Sequence, residues 1–580
     1  MLPAMGTFRS LLEMRRVHDG DRIAYRFLAD GLHEAHTLTF AELDLHGRAI
    51  AAALQQCAAA GERALILAAD GYDFVRAFIA CQYANVIAVP AYPPFPARSG
   101  HRVNTLRSIV QNCRPSVVLA AGAPADKVVV QESVPELQGA QWIFVDQVST
   151  SGASDYTEVP VRPEDISFLQ YTSGSTSAPK GVVITHEALL HNERLIASPL
   201  TGLESQGIGV SWLPLYHDMG LIGNLLGVVY TAVPGVFMSP LSFLHRPARW
   251  LQTISKYGAT ISGGPNFAYD LCLRRITPQE CEGLDLSSWQ FAFNGAEPAR
   301  ASTLDAFAER FGPYGFDKRA WYVCYGLAEA TVMVSGAAGP LQGAIRHKAS
   351  ANALAEGRFE PAATDSDAIE LVGCGTARLH RRIEIVAPDT GVRCPDGTVG
   401  EIWASGPDMG SGYWQNPEQS AHTFAARLAE TNEGPFMRTG DLGLMLDGEL
   451  FVTGRIKDLI IIGGRNHYPT DLEETVESVD PTIRAGCSIA FTVGAGGADR
   501  LIIVAETTKR NPDDHLLLER LIRGAISKNH GVQVNEIVLV KPNSVPRTSS
   551  GKPRRNACRV AFESGELKRL NGQEFVSISK

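Results

Sequence analysis

From about residue 62, short apolar runs alternate with stretches whose apolar residues recur at helical spacing. RALILAA (63–69) predicts a strand, YDFVRAFIACQYA (72–84) an amphipathic helix, and VIAVPAY (86–92) the next strand. SVVLAAG (116–122), WIFVDQV (142–148) and ISFLQYT (166–172) predict further short buried strands. ATISGG before NFAYDLCLRRI (266–276), and FAFNG before PARASTLDAFAERF (298–311), repeat the strand-then-helix order. Pro298 is placed near the start of that last helix, where a missing N–H removes no bond. Such alternation predicts a largely parallel sheet covered by helices.

Past residue 400 the pattern changes. EIWASG, GELFVTG and DLIIIGG read as strands separated by glycine turns. LEETVESV then predicts a helix, CSIAFTVG and RLIIVAETTK a strand pair, DHLLLERLIRGAISKN a helix, and EIVLVKP a strand. That order predicts a small α+β domain closing the chain, with a boundary at 454–458. The fold class expected is α/β, with a large N-terminal domain over 1–455 and a small C-terminal domain over 456–580. Residues 336–366 are rich in Ala and Gly with weak periodicity, which predicts an inserted excursion rather than core.

Length alone requires more than one core in 580 residues. A formal charge of −9 argues against a sequence-independent nucleic-acid binder, which needs a basic face. The ten cysteines are scattered without a C-x-x-C pair or zinc spacing, and Cys81, Cys272 and Cys324 sit in apolar runs, so reduced thiols and a cytoplasmic location are expected. No secretory h-region opens the chain. The longest uncharged run, 224–244, is broken by Gly227, Pro234, Gly235 and Pro240, so buried core is expected there and no membrane span.

The chemistry-bearing segments lie at strand ends. Y171-TSGSTSAPKG-181 follows an apolar strand with five hydroxyl residues, two glycines and Lys180. Glycine lets successive N–H groups face one hollow, hydroxyls add donors, and a lysine supplies a point charge for polyphosphate. It is not a Walker A loop, because the spacing fails and a strand follows it. The same residues also suit a flexible surface turn. N294-GAEP-298 and Y325-GLAEAT-331 end two further strands, where parallel sheets bind ligands. Glu329 is a hard oxygen ligand suited to Mg²⁺, and Tyr325 can stack on a base; either is equally a satisfied loop residue. R438-TGD-441 offers Asp441 to a ribose diol or to its own turn. P546-RTSSGKPRR-555 puts Lys552 on a pliable turn that also reads as a solvated basic tail.

Together, in this order and over about 8–559, these motifs resemble the adenylate-forming superfamily of acyl-CoA synthetases, peptide-synthetase adenylation domains and luciferase. PLYHDMGLIG (214–223), GGPNFAYDL (263–271) and KDLIIIGGRNHYPTDLE (457–473) are most similar to the fatty acyl-AMP ligases. The resemblance implies ATP and Mg²⁺ as cofactors. Thr172, Ser173, Gly174, Ser175, Thr176 and Lys180 would wrap the β- and γ-phosphates. Glu329 and Thr176 would hold Mg²⁺. Gly295, Ala296 and Glu297, with Tyr325 and Gly326, would grip adenine. Asp441 would bind ribose beside Arg455, and His217 would sit where the fatty carboxylate meets the α-phosphate. Lys552 would swing in on the lid during adenylation, and Lys457 would be the hinge.

Two departures from the superfamily pattern, STSAPKG in the phosphate loop and Ala328 in YGLAE, leave these groups in place. The stretch between Glu329 and G373-CG-375 is longer than an acyl-CoA synthetase would have, and the resemblance implies that this insertion packs on the N-terminal domain and restrains the lid. A medium- or long-chain fatty acid would then pass as acyl-AMP to the phosphopantetheine thiol of an acyl carrier protein, or of a polyketide- or peptide-synthetase carrier domain, in trans. The alternatives are a long-chain fatty acyl-CoA ligase and a catalytically silent acyl-adenylate-binding homologue.

Overall fold

The computed structural model describes residues 6–94, 100–172, 179–200, 207–462, 465–495, 498–547 and 553–570. Two large sheets carry the N-terminal part. One has six strands in the order Gln141–Phe144, Val117–Ala120, Arg63–Leu67, Ile87–Pro90, Ile166–Thr172, Lys180–Thr185, parallel except for the last pair. The other has eight, in the order Met333–Gly336, Trp321–Gly326, Phe291–Asn294, Ile261–Gly264, Gly209–Ser211, Gly235–Met238, Ile23–Leu28, Glu34–Thr39, antiparallel only at its two outer pairs. Residues 8–61, from which the apolar pattern drew no element, supply two of these strands and two covering helices, Phe8–Asp19 and Phe40–Gln55.

Local chemistry sets the helix ends. Thr39 and Glu42 form a reciprocal capping box at the start of Phe40–Gln55. Asp70 accepts the Tyr72 N–H ahead of Gly71–Ala84, and Asn85 closes that helix in the left-handed region at φ 53°. Pro298 lies outside its helix, which runs Ala301–Phe311 behind an extended Arg300. The uncharged run 224–244 divides into Gly227–Thr231, the buried strand Gly235–Met238 and Pro240–His245. Among the described residues no helix is long and apolar enough to cross a membrane. All ten cysteines are free thiols.

Helix Phe8–Asp19 is tied to the core through His186, whose Nδ1 accepts the Phe8 N–H at 3.3 Å. His186 is 1% exposed, and burial lowers its pKa from 6.5 to about 4. The unfolded chain therefore takes up a proton near pH 6.5 that the fold resists until about 4, so stability is lost as pH falls through that window. Two and a half pKa units correspond to about 3 kcal/mol. His186→Gln, which keeps an acceptor but does not titrate, is expected to remove that part of the pH slope. Urea midpoints from pH 7 to 4 would measure it, and an unchanged slope would refute the assignment.

Beyond the antiparallel sheet Arg382–Val386, Gly400–Ser405, Met437–Leu446, Glu449–Arg455 comes the turn Ile456–Asp458. The remainder builds a three-stranded sheet, Ile483–Ala495, Ala498–Thr507 and Glu536–Val540, with helices Pro469–Ser478, Pro512–His530 and Arg555–Glu563. Its two apolar clusters, around Leu472, Ile503 and Ile522 and around Phe491, Val538 and Phe562, contain only residues from this part. Polar contacts against the large part include Arg300–Glu477 at 2.8 Å, Ser302–Glu474 at 2.8 Å, and Arg274 to the Ala485 carbonyl at 2.7 Å.

Residues 336–366 are more ordered than their weak periodicity predicts. Strand Arg346–Ser350 pairs antiparallel with Ala368–Val372, and helix Ala351–Ala355 follows Ser350. The excursion leaves and returns at one point, where Gly336 bridges Thr376. Gly375 is required there, because at φ 84° an added Cβ would lie 1.9 Å from the Gly336 carbonyl carbon. Ala349, Leu354 and Leu371 share an apolar cluster with Leu442, Leu444, Phe451 and Tyr468, so the excursion touches both parts of the chain.

Candidate active site

Three sheets deliver their loops to one place. Thr172 pairs with Lys180 where Ile166–Thr172 and Lys180–Thr185 meet, which sets the lysine at the mouth of the intervening loop. Ser173, Gly174, Ser175 and Thr176 lie outside the described residues. The parallel neighbours Phe291–Asn294 and Trp321–Gly326 release their loops side by side, carrying Gly295, Ala296 and Glu297 and then Leu327 to Glu329. Asp441 and Arg455 face each other across an antiparallel pair of the third sheet.

The backbone is strained where the loops turn. Ala296 has φ 70°, and Thr331, a fully buried β-branched residue, has φ 65°. The Thr331 hydroxyl donates to the Asp408 carbonyl at 2.7 Å, and the Gly410 N–H donates to the Glu329 carbonyl at 2.8 Å, so the Glu329 turn is held from two sides. Gly326 admits no side chain, since a Cβ would lie 1.8 Å from the Val332 carbonyl oxygen.

Asp441 is buried and accepts from two sides: the Tyr325 hydroxyl at 2.7 Å and the Arg455 Nε at 2.9 Å. Its charge keeps the Arg455 guanidinium pKa above the usual value. Tyr325 is itself buried, and that burial raises its phenol pKa far above the usual value. The Glu297 carboxylate accepts the Phe267 N–H at the start of helix Asn266–Arg275. Glu329 accepts the Tyr413 hydroxyl at 2.8 Å, and desolvation raises its pKa above 4.5. Lys180 lies 4.8 Å above the Tyr413 ring. Its pKa is lowered first by desolvation and then by the nearby charge of Lys457, while Glu329 acts the other way.

Lys457 stands on the turn Ile456–Asp458, and its neighbour Asp458 pairs with Arg555 at 2.8 Å, which also grips Glu473. His217 precedes the turn Asp218–Gly220, with its ring 4.9 Å from that of Tyr216, and Asp218 is close enough to raise the Glu329 pKa further. Lys552 lies outside the described residues, but its flanks are joined: Arg547 bridges Pro553, and the Arg554 N–H donates to the Pro546 carbonyl at 2.9 Å.

Tyr413 is the member of this cluster that sequence reasoning missed. It sits in the glycine-rich turn 405–414, and Val182 bridges it from the strand after the phosphate loop. A tyrosine between two glycine turns is a faint signal, and its role depends on meeting Glu329 and Lys180, both distant in sequence.

Lys180, partly desolvated, lies within electrostatic reach of exposed Lys457, and such a like-charged pair suits a polyanion between its members. Glu329 carries a hard carboxylate of the kind Mg²⁺ takes. Among the described residues no three His, Cys, Asp or Glu side chains form a metal-holding cluster.

An α/β core with loops of this kind defines a nucleotide-polyphosphate-binding enzyme that carries a second, smaller domain. Residues 12–414 match the AMP-binding enzyme family, and residues 457–571 match the Disco-interacting protein 2-like AMP domain. The chain is 43% identical to the medium-chain-fatty-acid–[acyl-carrier-protein] ligase JamA of Moorena producens, covering 97% of this chain and 96% of that one. It is 38% identical to the long-chain-fatty-acid–AMP ligase FadD32 of Mycolicibacterium smegmatis, covering 95% and 93%. The solved fatty acyl-adenylate ligase of Legionella pneumophila, in complex with acyl adenylate and pyrophosphate, matches with TM-score 0.75 at 37% identity, covering 98% and 99%. The chain belongs to the AMP-binding, adenylate-forming enzymes and, within them, to the fatty acyl-AMP ligases.

Proposed function

We propose that this chain activates a medium- or long-chain fatty acid with ATP and passes the acyl group to the phosphopantetheine thiol of an acyl carrier protein acting in trans. The observation that carries the reading is that Lys180, Lys457 and Glu329 lie within electrostatic reach of one another, with Asp441 joined to them through Arg455. The division into an N-terminal domain to residue 455 and a lid from 456 is supported by the separate apolar clusters on either side of the Ile456–Asp458 turn.

The chemistry asks for little proton transfer. A fatty carboxylate is ionised at neutral pH, attacks the α-phosphorus in line, and breaks its bond to the bridging oxygen so that pyrophosphate leaves. Lys180 and the loop hydroxyls receive the β- and γ-phosphates, and the 295–297 backbone with Tyr325 and Gly326 holds adenine. Asp441 takes the ribose diol. His217 stands at the carboxylate end. Glu329 and Thr176 would hold a magnesium ion, which would supply charge neutralisation at the phosphate oxygens. In the second half-reaction the thiol sulfur attacks the acyl carbon and AMP departs. Fixed cations lower the barrier by holding two anions together before reaction.

The carrier protein is favoured over coenzyme A by the insertion. Leu354 is 1% exposed and shares its cluster with Tyr468 of the lid, and helix Ala351–Ala355 touches the lid strand Arg465–His467. Contacts worth a few kcal/mol hold a two-state lid strongly to one side. Leu354→Ala, which deletes about 2–3 kcal/mol of packing, is therefore expected to raise acyl-CoA formation roughly tenfold while acyl-AMP formation persists. The function is tested by trapping acyl-AMP with hydroxylamine, with and without coenzyme A or a carrier protein. Fast acyl-CoA formation by the unaltered enzyme would make it a CoA ligase. No fatty-acid-dependent ATP–pyrophosphate exchange would make it a silent homologue.

A further inference from the structure

Arg300 stands between the loop of Gly295 to Glu297 and the helix Ala301–Phe311. Asn266 clamps both ends of that loop: its Oδ1 accepts from the Asn294 side-chain amide at 3.3 Å and from the Arg300 N–H at 3.1 Å. The Arg300 side chain, 20% exposed, leaves this clamp and crosses to the lid, where Nη1 donates to Glu477 Oε2 at 2.8 Å. Among the described residues it forms the one ion pair between the large part and the lid. Asp270 of the large part and Glu474 of the lid helix Pro469–Ser478 lie in reach of the same guanidinium. Burial works against the Arg300 charge, but Glu477, Glu474 and Asp270 outweigh it and hold the pKa above the usual value.

Glu477 is fixed before it meets Arg300. Its other oxygen accepts the N–H groups of Cys487 and Ser488 at 3.0 and 3.1 Å, which anchors the carboxylate to strand Ile483–Ala495 of the lid. Cys487 Sγ in turn accepts from Arg547 Nη2 at 2.8 Å, and Arg547 bridges Pro553. A chain of polar contacts therefore runs from the 295–297 loop, through Arg300 and Glu477, to the sequence neighbours of Lys552. A pair with one member already fixed gives up less side-chain freedom than an exposed pair does, so it holds more firmly. Its loss also reverses a sign. Burial raises the Asp270 pKa and the charge of Glu477 raises it further, so without the guanidinium these carboxylates repel across the boundary. The two main apolar clusters of the lid contain no residue of the large part, which leaves the orientation at this boundary to polar contacts. We propose that Arg300 is a positioning residue for adenylation: paired with Glu477, it latches the lid in the orientation that serves acyl-AMP formation. This rests on the reading of the chain as an adenylating enzyme with Lys552 on its lid.

Single-molecule energy transfer in the full chain tests this, with fluorophores on non-natural side chains at exposed Val17 and Leu516 reporting the lid orientation. Arg300→Gln removes the charge from one side. Glu477→Gln removes it from the other and keeps an acceptor for the Cys487 and Ser488 N–H groups. Each is expected to move the main population to a second transfer value and to slow acyl-AMP formation roughly tenfold. The ATP KM should change little, and acyl transfer from supplied acyl-AMP should not slow. The doubly substituted protein should lose no more than either single one, since both remove the same contact. Arg300→Lys, which keeps the charge, should recover part of the rate, and melting curves confirm that the variants are folded. Unchanged energy transfer in Arg300→Gln, losses that multiply in the double variant, or equal slowing of both half-reactions overturns the latch. Failure of the functional reading shows separately, as an unaltered chain without fatty-acid-dependent ATP–pyrophosphate exchange, and the energy transfer then still decides the latch.

Discussion

Lys552→Ala is expected to slow acyl-AMP formation by two or more orders of magnitude while ATP affinity changes little. The expectation rests on when the charge is needed. On the proposed assignment ATP is already met in the ground state by Lys180 and the phosphate loop, and Lys457 is an electrostatic neighbour of Lys180. Negative charge then builds at the α-phosphate as the carboxylate adds, and on the proposed assignment Lys552, carried in by the lid, would meet it at that moment. An interaction made mainly in the transition state lowers kcat without changing substrate binding. A hundredfold loss corresponds to about 2.7 kcal/mol, within the range for one preorganised charge in a water-poor site. Arg547 and Pro553, which flank Lys552, bridge each other. Single-turnover acyl-AMP formation, beside ATP binding measured directly, separates the outcomes. An equal loss in both would make Lys552 a ground-state binder.

Asp441→Asn is expected to weaken ATP binding by roughly ten- to a hundredfold, with a smaller fall in the rate of the chemical step. A carboxylate accepts both hydroxyls of a diol in charge-assisted bonds worth about 1.5–3 kcal/mol each, whereas an amide offers one neutral acceptor. The substitution also leaves the Tyr325 hydroxyl and the Arg455 guanidinium facing a weaker partner. Arg455 is more than half exposed, so water replaces part of that loss and the fold should survive. Deoxy-ATP provides the check. If Asp441 holds the ribose, the variant should discriminate between ATP and 2′-deoxy-ATP less than the unaltered enzyme does. Unchanged discrimination would reduce Asp441 to a positioning residue for Tyr325.

Much of this architecture was legible without coordinates. The alternation of strand and helix signatures past residue 62 placed the parallel sheets, because a buried strand must be short and apolar and a covering helix must repeat at 3.6 residues. Residues 8–61 were not legible in this way: Ile23–Leu28 and Glu34–Thr39 complete the eight-stranded sheet from far along the chain, and strand pairing over such distances leaves no local signature. The weakly periodic excursion 336–366 is another case. Its helix Ala351–Ala355 has only five residues, too few to show a period, and becomes stable by packing on the third sheet and on Tyr468.

The sequence by itself determined the chemistry available at each strand end: a phosphate loop with Lys180, an acid at Glu329, another at Asp441 and a lysine at 552. These are properties of residue type and turn composition, which short segments carry whole. Only the tertiary structure decided which groups share a dielectric hollow. It placed Tyr413 between Lys180 and Glu329 and brought Lys457 within electrostatic reach of Lys180. Distance and burial set the strength of a charge or a hydrogen bond, and both are settled when separate sheets pack together.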